Sequence, residues 1–161
     1  MIVVSNTSPI TNLAAIGELE LLNRLYGEIV IPEGVWDELH SMGVNWPGAT
    51  EVDSASWVSR RSVQNGLLVD VLSLELDRGE AETIALALEL TADLVLLDER
   101  EGRRTARRLG LSVIGVLGIL LDAKQRGYLL AIGPSVDALR KSAGFYLTDT
   151  LVRSVLELAR E

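Results

Sequence analysis

Short runs of β-branched and other apolar residues alternate along the chain with longer segments whose apolar residues recur at helical spacing. Four of the short runs predict β-strands, at residues 2–5, 29–31, 94–97 and 112–114. Residues 57–63 are a weaker fifth candidate, because two arginines lie in the middle of the run. The longer segments predict helices at residues 9–16, 18–26, 33–41, 80–91, 101–109, 116–126, 135–142 and 148–160, with 67–75 as a further candidate. This alternation is typical of βαβ units and predicts an α/β fold with a mostly parallel central sheet and helices on both faces.

The helix at residues 80–91 has the clearest pattern, because Ala81, Ile84, Ala85 and Leu88 form one apolar stripe that would pack on the sheet. Residues 41–55 contain two glycines and a proline and are predicted to be the one long loop. Nothing in that loop indicates a domain boundary, so residues 1–161 are predicted to form a single domain. The last helical segment would either cap the core or contact a second subunit.

Composition restricts the chemistry that the chain can carry. Its 161 residues include no cysteine and a single histidine, His40, which excludes disulfides, thiolate sites and His-rich zinc sites. Any metal would therefore be held by oxygen. No secretory signal or membrane span is visible in the sequence, so a cytoplasmic protein is expected. The formal net charge of −8 opposes binding to phosphate unless basic residues are locally concentrated.

Polar residues follow the predicted strands. Asn6 comes directly after the first strand and Asp98 after the strand at 94–97, while Glu38 and Glu80 lie on neighbouring predicted helices. Ligands of open parallel sheets bind outside the carboxyl ends of the strands, so short connections would bring these four residues to one edge. Crowded oxygen ligands of this kind suit Mg²⁺ or Mn²⁺.

Structural roles compete with this interpretation. Asp77 and Glu80 have the spacing of a capping box, and Asn6 and Asp98 are each placed to cap the helix that follows. Only the joint placement of the four residues favours a site. Three other acidic residues are expected to face solvent, as is His40; the acids are Asp37, Glu82 and Glu99.

Four pieces of the sequence resemble PIN domains, in the branch related to VapC-type toxins. They are residues 4–9 (Val-Ser-Asn-Thr-Ser-Pro), Ile31 to Leu39, Gly79 to Ala87, and Leu96 to Glu99. The resemblance extends over about residues 1–150. It implies a three-layer α/β/α, Rossmann-like fold and a cluster of acidic residues that binds Mg²⁺ or Mn²⁺ and hydrolyses RNA.

The resemblance also assigns site residues. The first family position, normally Asp, falls on Asn6, which brings no negative charge and puts activity in question. The remaining positions fall on Glu38, Glu80 and Asp98 as catalytic residues and metal ligands, with Glu101 matching a further acid. The expected activity is that of a metal-dependent endoribonuclease, the toxin of a toxin–antitoxin pair. The alternative is a catalytically weakened protein that binds RNA or a protein partner.

The substrate side has one supporting feature, a run of arginines just beyond Asp98 that forms two rows on a predicted helix and could contact RNA. Its members are Arg100, Arg103, Arg104, Arg107 and Arg108. A solvated helix face balanced by neighbouring acids is the competing interpretation. The expected partners are RNA, an antitoxin protein and a second copy of the chain in a homodimer. A phospho-signalling domain is disfavoured, because Asn6 and Thr7 do not supply paired acids after the first strand.

Overall fold

The computed structural model describes residues 1–43 and 45–161 and contains a five-stranded, all-parallel sheet. The strands are β1 (Val3–Ser5), β2 (Ile29–Pro32), β3 (Val58–Arg61), β4 (Leu94–Leu96) and β5 (Val113–Ile114). Their spatial order is β3-β2-β1-β4-β5. Strands β2 and β3 therefore lie on one side of β1, whereas β4 and β5 lie on the other, so the strand order reverses beside β1.

Helices cover both faces of the sheet and complete a three-layer α/β/α fold, as predicted. They are α1 (Thr7–Ala15), α2 (Glu20–Tyr26), α3 (Glu33–Ser41), α4 (Ala49–Ser54), α5 (Gly66–Leu72), α6 (Arg78–Leu90), α7 (Arg100–Arg108), α8 (Val116–Gln125), α9 (Gly133–Lys141) and α10 (Asp149–Leu158). None of the helices in residues 1–43 and 45–161 has the length and apolar character needed to cross a membrane.

The two faces of the sheet bury two separate apolar clusters. Val3 and Leu96 pack in the larger cluster with side chains of α1, α2 and α8, whereas Val4 and Val95 pack in the smaller one with α6. Successive side chains of a strand point to opposite faces, so adjacent residues of one strand serve different clusters. This explains why the strands are continuously apolar rather than alternating.

Helix α6 is buried more completely than its single apolar stripe predicts. Every residue from Gly79 to Ala87 is buried, because α3 and α5 cover the sides of the helix that do not face the sheet. The polar residues in this stretch, including Glu80 and Glu82, are therefore held inside the protein rather than at its surface.

Of two expectations about the region between β2 and α5, one is confirmed and one needs revision. The weak candidate at residues 57–63 is a strand, β3, which tolerates Arg60 and Arg61 because it lies at the edge of the sheet, where side chains reach solvent. The predicted loop at residues 41–55 contains the short helix α4, anchored by buried Ala49 and Val52. Val44 lies outside the described residues.

Helix α10 caps part of the core through Val155, which is buried in the larger cluster. Leu151 and Leu158, which lie at helical spacing from Val155, remain exposed.

Candidate active site

The candidate site lies beside β1, where the strand order reverses. The backbone N–H of Asn6 donates to the carbonyl of Leu96 at 3.0 Å, which extends the pairing of β1 with β4 by one residue. Asn6 is thereby fixed next to Asp98 and Glu99, which follow β4. This is the position at which open parallel sheets bind ligands.

The side chain of Asn6 is 3% exposed and lies between two groups of carboxylates. Its Nδ2 donates to Glu99 Oε2 at 3.3 Å, whereas its Oδ1 accepts no hydrogen bond from the described residues. Burying an amide oxygen without a partner costs stability. The unsatisfied Oδ1 therefore indicates that Asn6 has a role other than packing in the core.

Oδ1 faces a small space above Gly79, in the first turn of α6. A β-carbon built on Gly79 would lie 2.8 Å from Glu38 Oε2, 3.2 Å from Asn6 Oδ1 and 3.5 Å from Asp77 Oδ1. Three acceptor oxygens thus surround one point that a larger residue would fill. The space opens into a cleft of about 360 Å³, the Gly79 cleft, lined by Gly34, Asp37, Glu38, Ser41, Asp77, Arg78 and Gly79.

Glu38 lies on α3 and reaches the cleft from the side opposite β4. Its Oε2 accepts from Thr7 Oγ1 at 3.0 Å, which joins α3 to the β1–α1 junction. Partial burial is the main cause that raises the pKa of Glu38 above its ordinary value. The hydroxyl of Thr7 opposes this shift, and the negative charges of Asp77 and Glu99 add to it.

Glu80 forms the capping box that its spacing predicts. Its Oε2 accepts from Asp77 N–H at 3.1 Å, and its own N–H donates to Asp77 Oδ1 at 2.8 Å. The structural role does not exclude a chemical one, because burial raises the pKa of this carboxyl to about 7. The Asp77 N–H opposes the shift, and the charges of Asp77, Glu99 and Glu38 increase it.

Asp98 faces a neighbouring space rather than the Gly79 cleft. Its Oδ1 accepts from Val116 N–H at 2.8 Å in the first turn of α8. Its buried Oδ2 forms no hydrogen bond of good geometry with the described residues, although the side chain of Asn12 lies near enough to the carboxyl group to lower its pKa. It lines a cavity of about 420 Å³, the Asp98 cavity, together with Arg103 and apolar side chains of β5, α8 and α10.

The pKa of Asp98 reflects this mixed environment. Burial raises the pKa to about 6, and the Val116 N–H opposes that shift. The charge of Glu99 adds to the rise, whereas the guanidinium of Arg103 counters it. Asp98 is therefore partly compensated by groups of its own chain.

The predicted site residues divide into three sets. Asn6 and Glu38 lie next to the first turn of α6, to which Glu80 belongs, whereas Asp98 lines the Asp98 cavity. Glu101 is exposed on α7 and makes none of the described contacts of the cleft. Of the arginines on α7, Arg103 reaches the Asp98 cavity and is partly buried, while four are exposed, namely Arg100, Arg104, Arg107 and Arg108.

Two acidic residues that were expected to be solvent-facing have definite partners. Glu99 accepts from Asn6 Nδ2 and, at 2.5 Å, from Ser8 Oγ, and its charge contributes to the raised pKa values of Glu38, Glu80 and Asp98. Glu82 is buried and accepts from Arg78 Nε at 2.7 Å and from Gly34 N–H at 3.3 Å, which ties α6 to α3. The expectation was wrong for Glu82, because α3 covers the face of α6 on which it lies. Glu99 is half-buried rather than fully solvent-facing, because Asn6 and Ser8 of the β1–α1 junction bind its carboxylate.

Asp77 also belongs to the cleft, although the sequence suggested only a capping role. The signal that could have identified Glu99 is its position directly after Asp98 at the end of a buried strand. His40, expected to be an ordinary exposed residue, lies 2.6 Å from Asp53 through its Nε2 and donates from Nδ1 to the Trp36 carbonyl at 2.7 Å. It links α3 to α4.

The donor set of the Gly79 cleft is composed of carboxylate and amide oxygens, the ligands that Mg²⁺ and Mn²⁺ prefer. The partnerless oxygen of Asn6 and the space above Gly79 match the ligand type and the room that such an ion requires. Within residues 1–43 and 45–161, however, no three acidic or histidine side chains approach closely enough to enclose a metal ion. Closing a coordination sphere would require side-chain movement, for which the exposed carboxylates of Glu38 and Asp77 have room.

Comparison with known proteins places this geometry in a family. One solved structure with the same fold is a PilT N-terminus domain protein, SSO1118, from the hyperthermophilic archaeon Sulfolobus solfataricus P2. It is 21% identical over 74% of this chain and 90% of its own, with a TM-score of 0.54. Comparison with curated protein sequences finds no match. The family model DUF3368, described as a PIN domain, matches residues 2–161. Because that match spans nearly the whole sequence, the chain belongs to the PIN-domain family.

Proposed function

We propose that this protein is a metal-dependent endoribonuclease of the PIN type. PIN domains are generally nucleases, and the observation that carries the proposal is the convergence of Asn6 Oδ1, Glu38 Oε2 and Asp77 Oδ1 around one point above Gly79. Glu38 Oε2 and Asp77 Oδ1 each have one donor from the chain, whereas Asn6 Oδ1 has none among the described residues. A cation would supply the missing partner of Asn6 and relieve the repulsion between the crowded acceptors. Asn6, Glu38 and Glu80 would hold Mg²⁺ or Mn²⁺, with Asp98 in the adjoining cavity.

The bound cation would orient the scissile phosphate and promote in-line attack by water. The chain itself supplies ligands and substrate positioning. Without a cation, burial and acidic neighbours hold the pKa of Glu80 at about 7, and a cation beside it would favour the ionised carboxylate that a ligand requires. The arginines of α7 begin directly after the acidic residues and would neutralise the phosphates of an RNA strand that leaves the site.

In the part of the chain that the structure describes, none of these five arginines forms a salt bridge with a carboxylate. This observation favours an RNA contact over the competing interpretation of a charge-balanced surface. A basic helix beside an acidic cleft also explains how a protein with a net charge of −8 would bind a polyanion.

Cleavage of a 5′-labelled single-stranded RNA by purified protein tests the proposal. We expect cleavage with Mn²⁺ and none with chelator, with products that carry 5′-phosphate ends. Glu38→Gln should lower the rate by about 10-fold to 100-fold or more, since even indirect metal partners contribute that much. A preparation in which Glu38→Gln cleaves as fast as wild type contains a contaminating nuclease or uses another site.

A second candidate function is RNA binding without cleavage, which the amide at position 6 favours. It predicts that RNA binds in chelator and in Mn²⁺ alike and is recovered intact.

The toxin role belongs to the proposal of a metal-dependent endoribonuclease and is tested by growth arrest on expression of wild type but not of Glu38→Gln. An antitoxin would appear as a protein partner that abolishes that arrest, and sedimentation would show whether the chain forms the expected dimer.

A further inference from the structure

Asn6 and Glu99 are in contact. Asn6 carries an amide at the position where the family normally has a carboxylate, and Glu99 is a carboxylate for which the sequence indicated no role. Asn6 Nδ2 lies 3.3 Å from Glu99 Oε2. An ionised carboxylate accepts hydrogen bonds but cannot donate one, so the part of the amide turned toward Glu99 must be the NH₂ group. The amide oxygen is consequently directed toward Glu38, Asp77 and Gly79.

Glu99 is itself held in place. Its other oxygen, Oε1, accepts from Ser8 Oγ at 2.5 Å, so both carboxylate oxygens bind donors from the β1–α1 junction. Asn6 is 3% exposed, which leaves its amide little freedom to choose other partners. The arrangement therefore fixes one rotamer of Glu99 and one orientation of the Asn6 amide.

We propose that Asn6 and Glu99 are an exchanged pair, in which Glu99 orients the Asn6 oxygen toward the cation and supplies the negative charge that Asn6 lacks. Glu99 acts here as a positioning residue through Asn6. The inference rests on the proposed metal site and deepens it, because it explains how an amide at the first acidic position is compatible with metal binding.

The pair also explains why the two positions are not both acidic. An Asp at position 6 would direct a carboxylate oxygen at Glu99 across the present 3.3 Å contact, where like charges repel strongly. Exchanging the two groups, with Asp at position 6 and Gln at position 99, keeps one donor, one acceptor and the same net charge. The exchanged arrangement should therefore work where either single change fails.

A four-protein cycle tests this inference: wild type, Asn6→Asp, Glu99→Gln and the double variant Asn6→Asp/Glu99→Gln. Melting temperatures in chelator report the pair without any metal or RNA. Asn6→Asp should lower the melting temperature by about 4 °C or more, because two carboxylates then face each other. The double variant should recover most of that loss. Glu157→Gln, which removes an exposed carboxylate on α10, is the matched control and should leave the melting temperature unchanged.

Calorimetric titration of Mn²⁺ into the same proteins supplies the second readout. Glu99→Gln should weaken Mn²⁺ binding by about 10-fold to 100-fold, as loss of a partner that orients a ligand does. If the two single substitutions acted independently, their separate effects on Mn²⁺ affinity would multiply in the double variant. We expect the double variant to bind Mn²⁺ at least about 10-fold more tightly than that, because the effects of substitutions at contacting residues are not additive. A merely structural role of Glu99 would not produce this rescue.

Additive melting temperatures, or a Glu99→Gln variant that binds Mn²⁺ as tightly as wild type, would overturn the exchanged pair. Failure of the proposed function gives a different pattern. In that case wild type binds no Mn²⁺ and cleaves no RNA, while the melting temperatures in chelator still show whether Asn6 and Glu99 are coupled.

Discussion

The first turn of α6 and the Asp98 cavity both lie at the carboxyl edge of the sheet, and each contains a carboxyl group whose pKa burial raises. In the first turn of α6, beside the Gly79 cleft, Glu80 has further carboxylates as neighbours, and its pKa is about 7. In the cavity, Asp98 has the Val116 N–H and the Arg103 guanidinium beside it, and its pKa is about 6. One acidic group lacks compensating charge, and the other receives it from the protein.

This difference indicates where a cation would stabilise the protein most. Carboxylates whose charged neighbours are mainly acidic gain more from an external positive charge than a carboxylate that already has a guanidinium beside it. The cleft is therefore expected to depend on metal. The cavity is expected to be stable without it.

Glu80→Gln should have the largest effect. Between about pH 4.5 and pH 7, folded Glu80 retains a proton that the unfolded chain has released, so its contribution to stability falls as the pH rises through that window. Gln can still accept from the Asp77 N–H but carries no charge. We expect this variant in chelator at pH 8 to be more stable than wild type by about 1–2 kcal/mol, because solvent screens part of the full effect of the pKa shift.

Denaturant unfolding of both proteins from pH 4 to pH 8 measures this effect. The advantage of Glu80→Gln should vanish below about pH 4.5, where the unfolded chain is also protonated. With Mn²⁺ the advantage should shrink or reverse, because only wild type has the carboxylate. A constant difference across the pH range would show that Glu80 is not strained by its acidic neighbours.

Gly79→Ala should have the next largest effect, on metal binding rather than on stability. Its β-carbon would occupy the point between Glu38 Oε2 and Asn6 Oδ1, and we expect Mn²⁺ affinity to fall by about 10-fold to 100-fold. Gly66→Ala is the matched control, since Gly66 also lies in the first turn of a helix but has no atom within 4 Å of the added carbon.

Gly115→Ala tests the Asp98 cavity in the same way. Its β-carbon would lie 2.6 Å from Arg103 Nη1 and 2.8 Å from Asp98 Oδ1, so it disturbs the Asp98 cavity in the way that Gly79→Ala disturbs the cleft. Calorimetry should show a smaller loss of Mn²⁺ affinity for Gly115→Ala than for Gly79→Ala. Equal losses would mean that the two regions form one metal site.

Asp98→Ala should mainly destabilise the fold. It removes the acceptor of the Val116 N–H, and leaving that donor without a partner should cost about 1–3 kcal/mol. Asp98→Asn preserves an acceptor and should cost less. Denaturant unfolding measures both values, and similar costs for the two variants would contradict a hydrogen-bonding role.

The smallest effect is expected on the RNA-binding surface of α7. Arg104→Gln and Arg108→Gln should each weaken RNA binding in chelator and reduce the slope of log affinity against log salt by about 0.7 if each contacts one phosphate. Arg153→Gln, at an exposed position on α10, is the control. An unchanged slope in the α7 variants would place the RNA elsewhere.

The sequence by itself determined the order of strands and helices and the edge at which the polar residues gather. Apolar runs such as residues 94–97 identify buried parallel strands, and residues that follow such strands must lie at their carboxyl ends. The capping box of Asp77 and Glu80 is equally local, since three residues of one helical turn suffice to form it. These features depend on neighbours in the chain, which a sequence displays directly.

Only the tertiary structure decided which acidic residues share a space. Asp98 and Glu99 are adjacent in sequence, yet Asp98 is bound by the first turn of α8 whereas Glu99 is bound by Asn6 and Ser8. Glu82 is buried because α3 lies against α6, which the helical pattern of α6 alone does not reveal. Contacts between residues 18 to 93 positions apart depend on how the layers pack, and side chains on adjacent residues turn to different partners once those layers are in place.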